Sequence, residues 1–406
     1  PYRRQRQMCI RDRKLLVITL CLSSLFSCST HKKKSQCELS SYAVALLDST
    51  LKYYSTARIG LFHENYPSKD DDMVTYLAGE DTIRKNRVAY LWPTSGMFSA
   101  VNALLRASDD NRFKQMLDSM IIPGLECYWD SLRLPVCYQS YIAEAGYSDR
   151  FYDDNLWIGI DFLESYKLTQ KSNYLSSAEK IWKFIESGRD SVLNDGIYWC
   201  EQKKLSKNTC SNAPAAVFAL KLYEATNEKK YLEAGKELYH WTKSCLQDSA
   251  DYLYFDNISL DGKINETKFQ YNSGQMLQAA SLLYKQTGEK EYLTDAHNLA
   301  KACNDYFFED FQTEENHNFR ALKNGNIWFV AIMLRGFEEL YQIDKNPVYL
   351  NNFKETLVYM WKHNPNTNGL FGNDVFVHDI DKQKESKWLL TQAALIEMYA
   401  RLSVFE

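Results

Sequence analysis

The chain has 406 residues, 45% hydrophobic and 14% aromatic, enough for one large core or two ordinary ones. Its formal net charge of −4 hides an asymmetry: residues 1–34 hold nine Lys/Arg against one Asp, leaving residues 35–406 with 39 basic and 51 acidic side chains, a net of −12. So acidic a body lacks the basic footprint of a nucleic-acid binder and fits a neutral ligand.

The amino terminus reads as a targeting segment. In "RDRKLLVITLCLSSLFSCST" a basic start precedes an apolar run, Leu15 to Phe26, too short to span a bilayer comfortably. Leu25-Phe26-Ser27-Cys28 resembles a bacterial lipobox, which would make Cys28 the lipidated first residue of an outer-membrane-anchored protein. The basic "HKKK" that follows favours a periplasm-facing protein over a surface-exported one. Residues before Met8 read as upstream readthrough, 29–37 as a linker, and 38–406 as a single domain expected to act as a monomer. Seven cysteines follow Cys28, with no CxxC or Cys/His spacing, so neither a metal nor another cofactor is expected. Cys200 and Cys210 flank a short loop and could pair in an export context.

A repeat governs the rest. "YKLTQKSNYLSSAEKIWKFI", "YEATNEKKYLEAGKELYHWT", "YKQTGEKEYLTDAHNLAKAC" and "YQIDKNPVYLNNFKETLVYM" each end one helix, turn briefly, and open another with Tyr-Leu. Their Tyr residues fall at 174, 231, 292 and 349, and Phe113 marks a degenerate copy. Such a period indicates stacked helical hairpins. Apolar periodicity predicts twelve helices, at 38–57, 92–107, 109–129, 152–169, 172–190, 207–226, 228–249, 268–287, 289–309, 323–342, 347–363 and 386–403. Even-numbered members are apolar nearly all round and should be inner, whereas odd-numbered ones carry Lys and Glu on one face and should be outer. Six such hairpins can close into an all-α (α/α)6 toroid; an open solenoid is the alternative.

Polar–aromatic clusters open every inner helix: "LWPTSGMF", "YDDNLW", "KNTCSN", "FQYNSGQ", "NGNIWF" and "SKWLLTQ". All six should meet at one mouth, entered by the long connections 58–91, 130–151, 191–206, 250–267 and 364–385. The charge run Ser68–Met73 in the first of these reads as solvated surface. The 28 Tyr, 20 Phe and 9 Trp suit an aromatic-lined cleft for a ligand with apolar faces, such as a sugar ring. Trp92, Trp157 and Tyr271 are candidate stacking platforms, and Asn155, Asn208, Asn212 and Asn272 candidate hydroxyl ligands; for each, a core or capping role is the alternative.

Asp153 and Asp154 are the chemical centre of this map. At a helix amino end the dipole and free N–H groups favour ionisation of the better-bonded carboxylate, and repulsion raises the pKa of the other. A nucleophile beside a proton donor is what glycoside hydrolysis uses, and adjacent side chains suit the short separation of a retaining reaction.

From about residue 45 to 400 the chain resembles glycoside hydrolase family 76, bacterial and fungal endo-α-1,6-mannanases with an (α/α)6 fold. The resemblance rests on "YDDNLW", "DGIYWCEQKKLSKNTCSNAPAA", and "YNSGQMLQAASLLY" followed by "TGEKEYL". It implies Asp153 as nucleophile, Asp154 as acid/base, and α-mannan as the substrate. The Gly-rich lead-in to the third motif is reduced to "DGIYWC". Some fungal relatives act as transglycosylases, so transfer stands beside hydrolysis. An exo-mannosidase, an uronyl hydrolase or an epimerase on the same toroid are rivals, but His240 and His297 fall on outer helices, away from an epimerase site. A non-catalytic glycan-binding lipoprotein would not require adjacent carboxylates.

Overall fold

The computed structural model describes residues 38–69, 87–373 and 386–405. The leader with Cys28, most of the Ser68–Met73 run and part of the 364–385 connection lie outside the described residues. Twelve helical segments follow one another: α1 (38–54), α2 (Leu91–Ala107), a broken segment comprising α3 (Asn111–Met116), a π turn (Leu117–Ile121) and α4 (Ile122–Glu126), then α5 (Tyr152–Thr169) and α6 (Ser172–Glu186). The second half holds α7 (Thr209–Thr226), α8 (Lys229–Leu246), α9 (Gln270–Thr287), α10 (Lys290–Phe307), α11 (Ile327–Asp344), α12 (Val348–Lys362) and α13 (Leu389–Leu402).

The inner helices α2, α5, α7, α9, α11 and α13 each pack on the next, and α13 returns to α2. The ring is therefore closed, an (α/α)6 toroid rather than a solenoid. In α7 every residue from Thr209 to Leu220 is buried, the burial its near-uniform apolarity requires. The α9–α11 seam is a glycine contact: a Cβ on Gly274 would lie 2.4 Å from Met333 Cα, and one on Gly336 would lie 2.3 Å from Gly274 O.

The sequence repeat is a turn. Gln170, Asn227, Gly288 and Lys345 cap α5, α7, α9 and α11 in the left-handed conformation, and their N–H groups donate to Tyr166, Tyr223, Tyr284 and Tyr341 carbonyls. Tyr174, Tyr231 and Tyr292 then open the outer helices as buried anchors. Toward this end two arginines link the inner helices, Arg335 from the middle of α11 and Arg401 from the last turn of α13, where the dipole favours cations. Arg335 grips Glu397 through Nε and Nη2 (2.7 and 3.0 Å), while Arg401 reaches Glu397, Glu338 and Glu164 (2.6, 3.0 and 3.0 Å), tying α5, α11 and α13 together.

Three expectations are corrected. The helix predicted at 109–129 breaks at the π turn and ends at Glu126. A hairpin, Phe308–Gln312 with Asn318–Leu322, occupies the connection before α11, where a helix to 309 and a new one from 323 were expected. Aromatic contacts anchor it: Phe308 packs on Phe353 and Phe311 on Tyr359 of α12. Cys200 and Cys210 are free thiols, Cys200 facing the Gln202 side chain and Cys210 facing Asp153.

Candidate active site

All six inner helices begin after an extended residue: Tyr90, Phe151, Asn208, Phe269, Asn326 and Trp388. Only Asn326 caps with its side chain, accepting from Trp328 and Phe329 N–H groups. The second helical residue is Trp92, Asp153, Cys210, Tyr271, Trp328 or Leu390 in turn, and the first five of these line one cavity of about 440 Å³. Repeat geometry thus brings the second residue of five of the six inner helices to one cavity.

Asp153 and Asp154 differ sharply in their surroundings. Trp199 Nε1 donates to Asp153 Oδ2 at 3.0 Å, Cys210 Sγ lies 3.5 Å from the same oxygen, and the Asp154 amide donates to Oδ1 at 3.1 Å. Burial raises the Asp153 pKa to about 6, and these donors limit the rise. Asp154 is buried, no protein group among the described residues donates to its carboxyl, and burial together with the Asp153 charge holds its pKa well above the ordinary range. Asp154 is thereby held in its protonated form more strongly than Asp153. Neither occupies the capping position, which belongs to Phe151.

The walls are aromatic. Trp157, Trp328, Trp92 and Trp388 meet edge to face in series, with centroids 5.1, 5.3 and 5.1 Å apart, so Trp157 and Trp328 form the floor. Tyr271 stacks on Phe329 at 4.1 Å, and Phe151 leans on Trp199. On the remaining side a three-stranded sheet, Ser206–Asn208, Phe255–Ser259 and Ile264–Lys268, sets Asn208 opposite Asn257. Ser206 Oγ donates to Asn208 Oδ1 at 2.6 Å. Asp256 on this sheet accepts from Asn257 and Asn265 (2.8 and 3.2 Å), and its burial raises its pKa.

Trp92, Trp157, Asn208 and Tyr271 thus join the aspartates around the cavity, but three predicted ligands do not. Asn155 accepts from Tyr138 N–H and donates to Tyr138 and Phe151 carbonyls. Asn212 does the same with Ile197 N–H and with Ile197 and Asn208 carbonyls. Gln392 repeats the device with Phe371 and Trp388. An amide at the fourth helical position therefore staples an incoming loop, and its hydrogen-bonding capacity is used up by backbone. Asn272 is buried outside the cavity, beside Asp256. Trp199, Asp256, Phe329 and the role of Cys210 were missed. Trp199 lies in "DGIYWC" and Cys210 in "KNTCSN", but which atom they face depends on packing between repeats.

A larger cavity of about 780 Å³ lies at the opposite mouth, among the charged carboxyl ends of the inner helices. Its Arg401 is already engaged by three glutamates. Among the described residues no cluster of His, Cys, Asp or Glu could hold a metal ion, and no helix is long and apolar enough to cross a membrane.

A closed (α/α)6 ring with two adjacent aspartates in unlike surroundings, set in an aromatic pocket, is the arrangement of a glycosidase. The chain belongs to glycosyl hydrolase family 76, whose profile matches residues 39–405. It is similar to the family 76 mannosidase Bt3792 of Bacteroides thetaiotaomicron, with 32% identity, a TM-score of 0.81, and 90% of this chain and 98% of that one covered. A family 76 enzyme from a bovine strain of that species gives 33% identity and a TM-score of 0.81 over 90% and 77% of the two chains. The α-1,6-mannanase GH76A of Salegentibacter sp. HEL1_6, solved with α-1,6-mannotetrose as an inactive variant lacking two consecutive aspartates, gives 26% identity and a TM-score of 0.71 over 91% and 99%. No curated protein matches the chain.

Proposed function

We propose that this glycosidase is a retaining, endo-acting α-1,6-mannanase. The observation that carries the reading is the asymmetry of the aspartate pair: three donors on Asp153 and none on Asp154. Asp153 attacks the anomeric carbon while Asp154 protonates the departing glycosidic oxygen, giving a mannosyl ester on Asp153. Asp154, now a carboxylate, takes a proton from water, which attacks the same carbon and frees Asp153. Trp199, Phe151 and the Tyr271–Phe329 pair offer ring faces to successive sugars, and Asn208 and Asp256 offer hydroxyl partners. α-1,6-Linked mannan is supported as substrate by the oligosaccharides bound to the Salegentibacter relative, and a catalytic role for the aspartate pair by that relative's inactive double variants.

Linear α-1,6-mannan is the test substrate. Internal cleavage should release a ladder of oligosaccharides, and proton NMR should show the α-anomer first. Initial β-product would remove Asp153 from the nucleophile role; mannose alone would indicate an exo-mannosidase, and lengthened chains a transglycosylase. The reading includes a monomer anchored through lipid on Cys28, so Cys28→Ala should move the protein from membranes to the soluble fraction.

A further inference from the structure

Asp153, Cys210 and Tyr271 are the second residues of three consecutive inner helices, α5, α7 and α9. The repeat therefore sets them side by side around the axis. Cys210, 3% exposed, places Sγ 3.5 Å from Asp153 Oδ2, an ordinary S–H···O distance, and the Tyr271 hydroxyl interacts with the same sulfur. Trp199, arriving on a loop, supplies the second side-chain donor to that oxygen. We propose that Cys210 is a positioning residue for the nucleophile: a thiol donor, braced by the Tyr271 hydroxyl, that holds Asp153 Oδ2 jointly with the Trp199 indole.

A thiol suits this place because it is a weak donor. An attacking carboxylate must be fixed in direction without having its charge heavily stabilised, and it must give up that charge when the glycosyl ester forms. A strong donor would favour the free anion over the ester, whereas a thiol loses little as the charge leaves. Hydroxyl or amide donors would complete the same contact and slow the first displacement. The other titratable groups near Asp153 are Asp154, Cys200 and Tyr271, and Asp256 acts on Cys210 and Tyr271 from the sheet. Burial and these charges keep Cys210 itself a thiol, with its proton available for donation.

The proposal rests on Asp153 being the nucleophile, and its test is chosen to fail separately. Cys210→Val keeps the volume and removes the donor, Cys210→Ser strengthens the donor, and Tyr271→Phe removes the brace but keeps the ring. On linear α-1,6-mannan, Cys210→Val should lose about 3–10-fold in kcat/KM, the span of one net hydrogen bond. Its acid limb should move to higher pH, because the ionised form has lost a donor. Cys210→Ser should return the limb to the wild-type position or below it. Tyr271→Phe should shift it upward by less, and combining Tyr271→Phe with Cys210→Val should add nothing to Cys210→Val alone. Carbon-13 NMR titration of the Asp153 carboxyl in the free protein should show the same ordering without any substrate. An unmoved Asp153 titration in Cys210→Val, or Val and Ser variants that titrate alike, would overturn the proposal. If Val disturbs folding, Cys210→Ala and Cys210→Ser make the same comparison. A wild-type protein inactive on every α-mannoside would instead defeat the functional reading, and the titration would still decide the role of Cys210.

Discussion

Replacing Asn212 by alanine separates a staple from a ligand. The Asn212 amide accepts from Ile197 N–H at 2.7 Å and donates to the Ile197 and Asn208 carbonyls at 2.9 and 2.8 Å, all with no exposure of Ile197 or Asn212 to solvent. Truncation strands the Ile197 N–H and carbonyl in a dry interior, at about 1–3 kcal/mol for each unsatisfied group; the Asn208 carbonyl starts α7 and keeps other partners. A loss of about 3 kcal/mol is therefore expected, partly relieved by loop movement. With a guanidinium slope of about 6 kcal/mol/M, this moves the unfolding midpoint down by about 0.5 M. Ile197 stands two residues before Trp199, so freeing it also loosens the indole that holds Asp153, and kcat should fall with stability. The assay pairs guanidinium unfolding, followed by fluorescence, with mannan kinetics. An Asn212→Ala protein with an unchanged midpoint and only a raised KM would refute the staple and restore Asn212 as a sugar ligand.

Asp153→Asn and Asp154→Asn should each lower kcat at least ~10³-fold, since the two groups act as a unit; near-normal turnover in either would exclude that carboxylate from the chemistry. Asp161, buried on α5 and bonded to Ser99, has its pKa raised by burial to about 7. The folded state thus holds a proton that the unfolded chain releases near pH 4, so Asp161 withdraws stability as pH rises from ~4 to 7. Asp161→Asn should flatten that part of the Tm-against-pH curve, and identical curves would show that Asp161 is ionised throughout. At the far turns Tyr231→Ala, removing a ring only 3% exposed, should cost about 3–5 kcal/mol and leave kcat intact. Leu232→Ala, whose side chain is half-buried, should cost less, and equal costs would reverse the assignment of the anchor.

The ring was legible in the chain because each repeat carries its own turn. A tyrosine carbonyl receives the capping N–H, a left-handed residue follows, and a second tyrosine opens the outer helix, all within one local stretch. Uniform apolarity of the even-numbered helices revealed which layer they occupy, since only a helix enclosed on every side can be apolar on every side. The adjacency of Asp153 and Asp154 was equally local, and a helix amino end beside like charge already required the two pKa values to diverge.

The residues around them do not by themselves tell the two aspartates apart; tertiary structure gives them unlike surroundings. The side-chain donors to Asp153 arrive from Trp199 and Cys210, 46 and 57 residues away along the chain. Likewise "YDDN" and "TCSN" each contain an Asn one turn into a helix, and nothing local distinguishes a sugar ligand from a staple. That depends on whether a loop backbone passes within reach, as Tyr138 does for Asn155 and Ile197 does for Asn212. Helical periodicity records which face of a helix is buried; it does not record which partner from another repeat is buried against it.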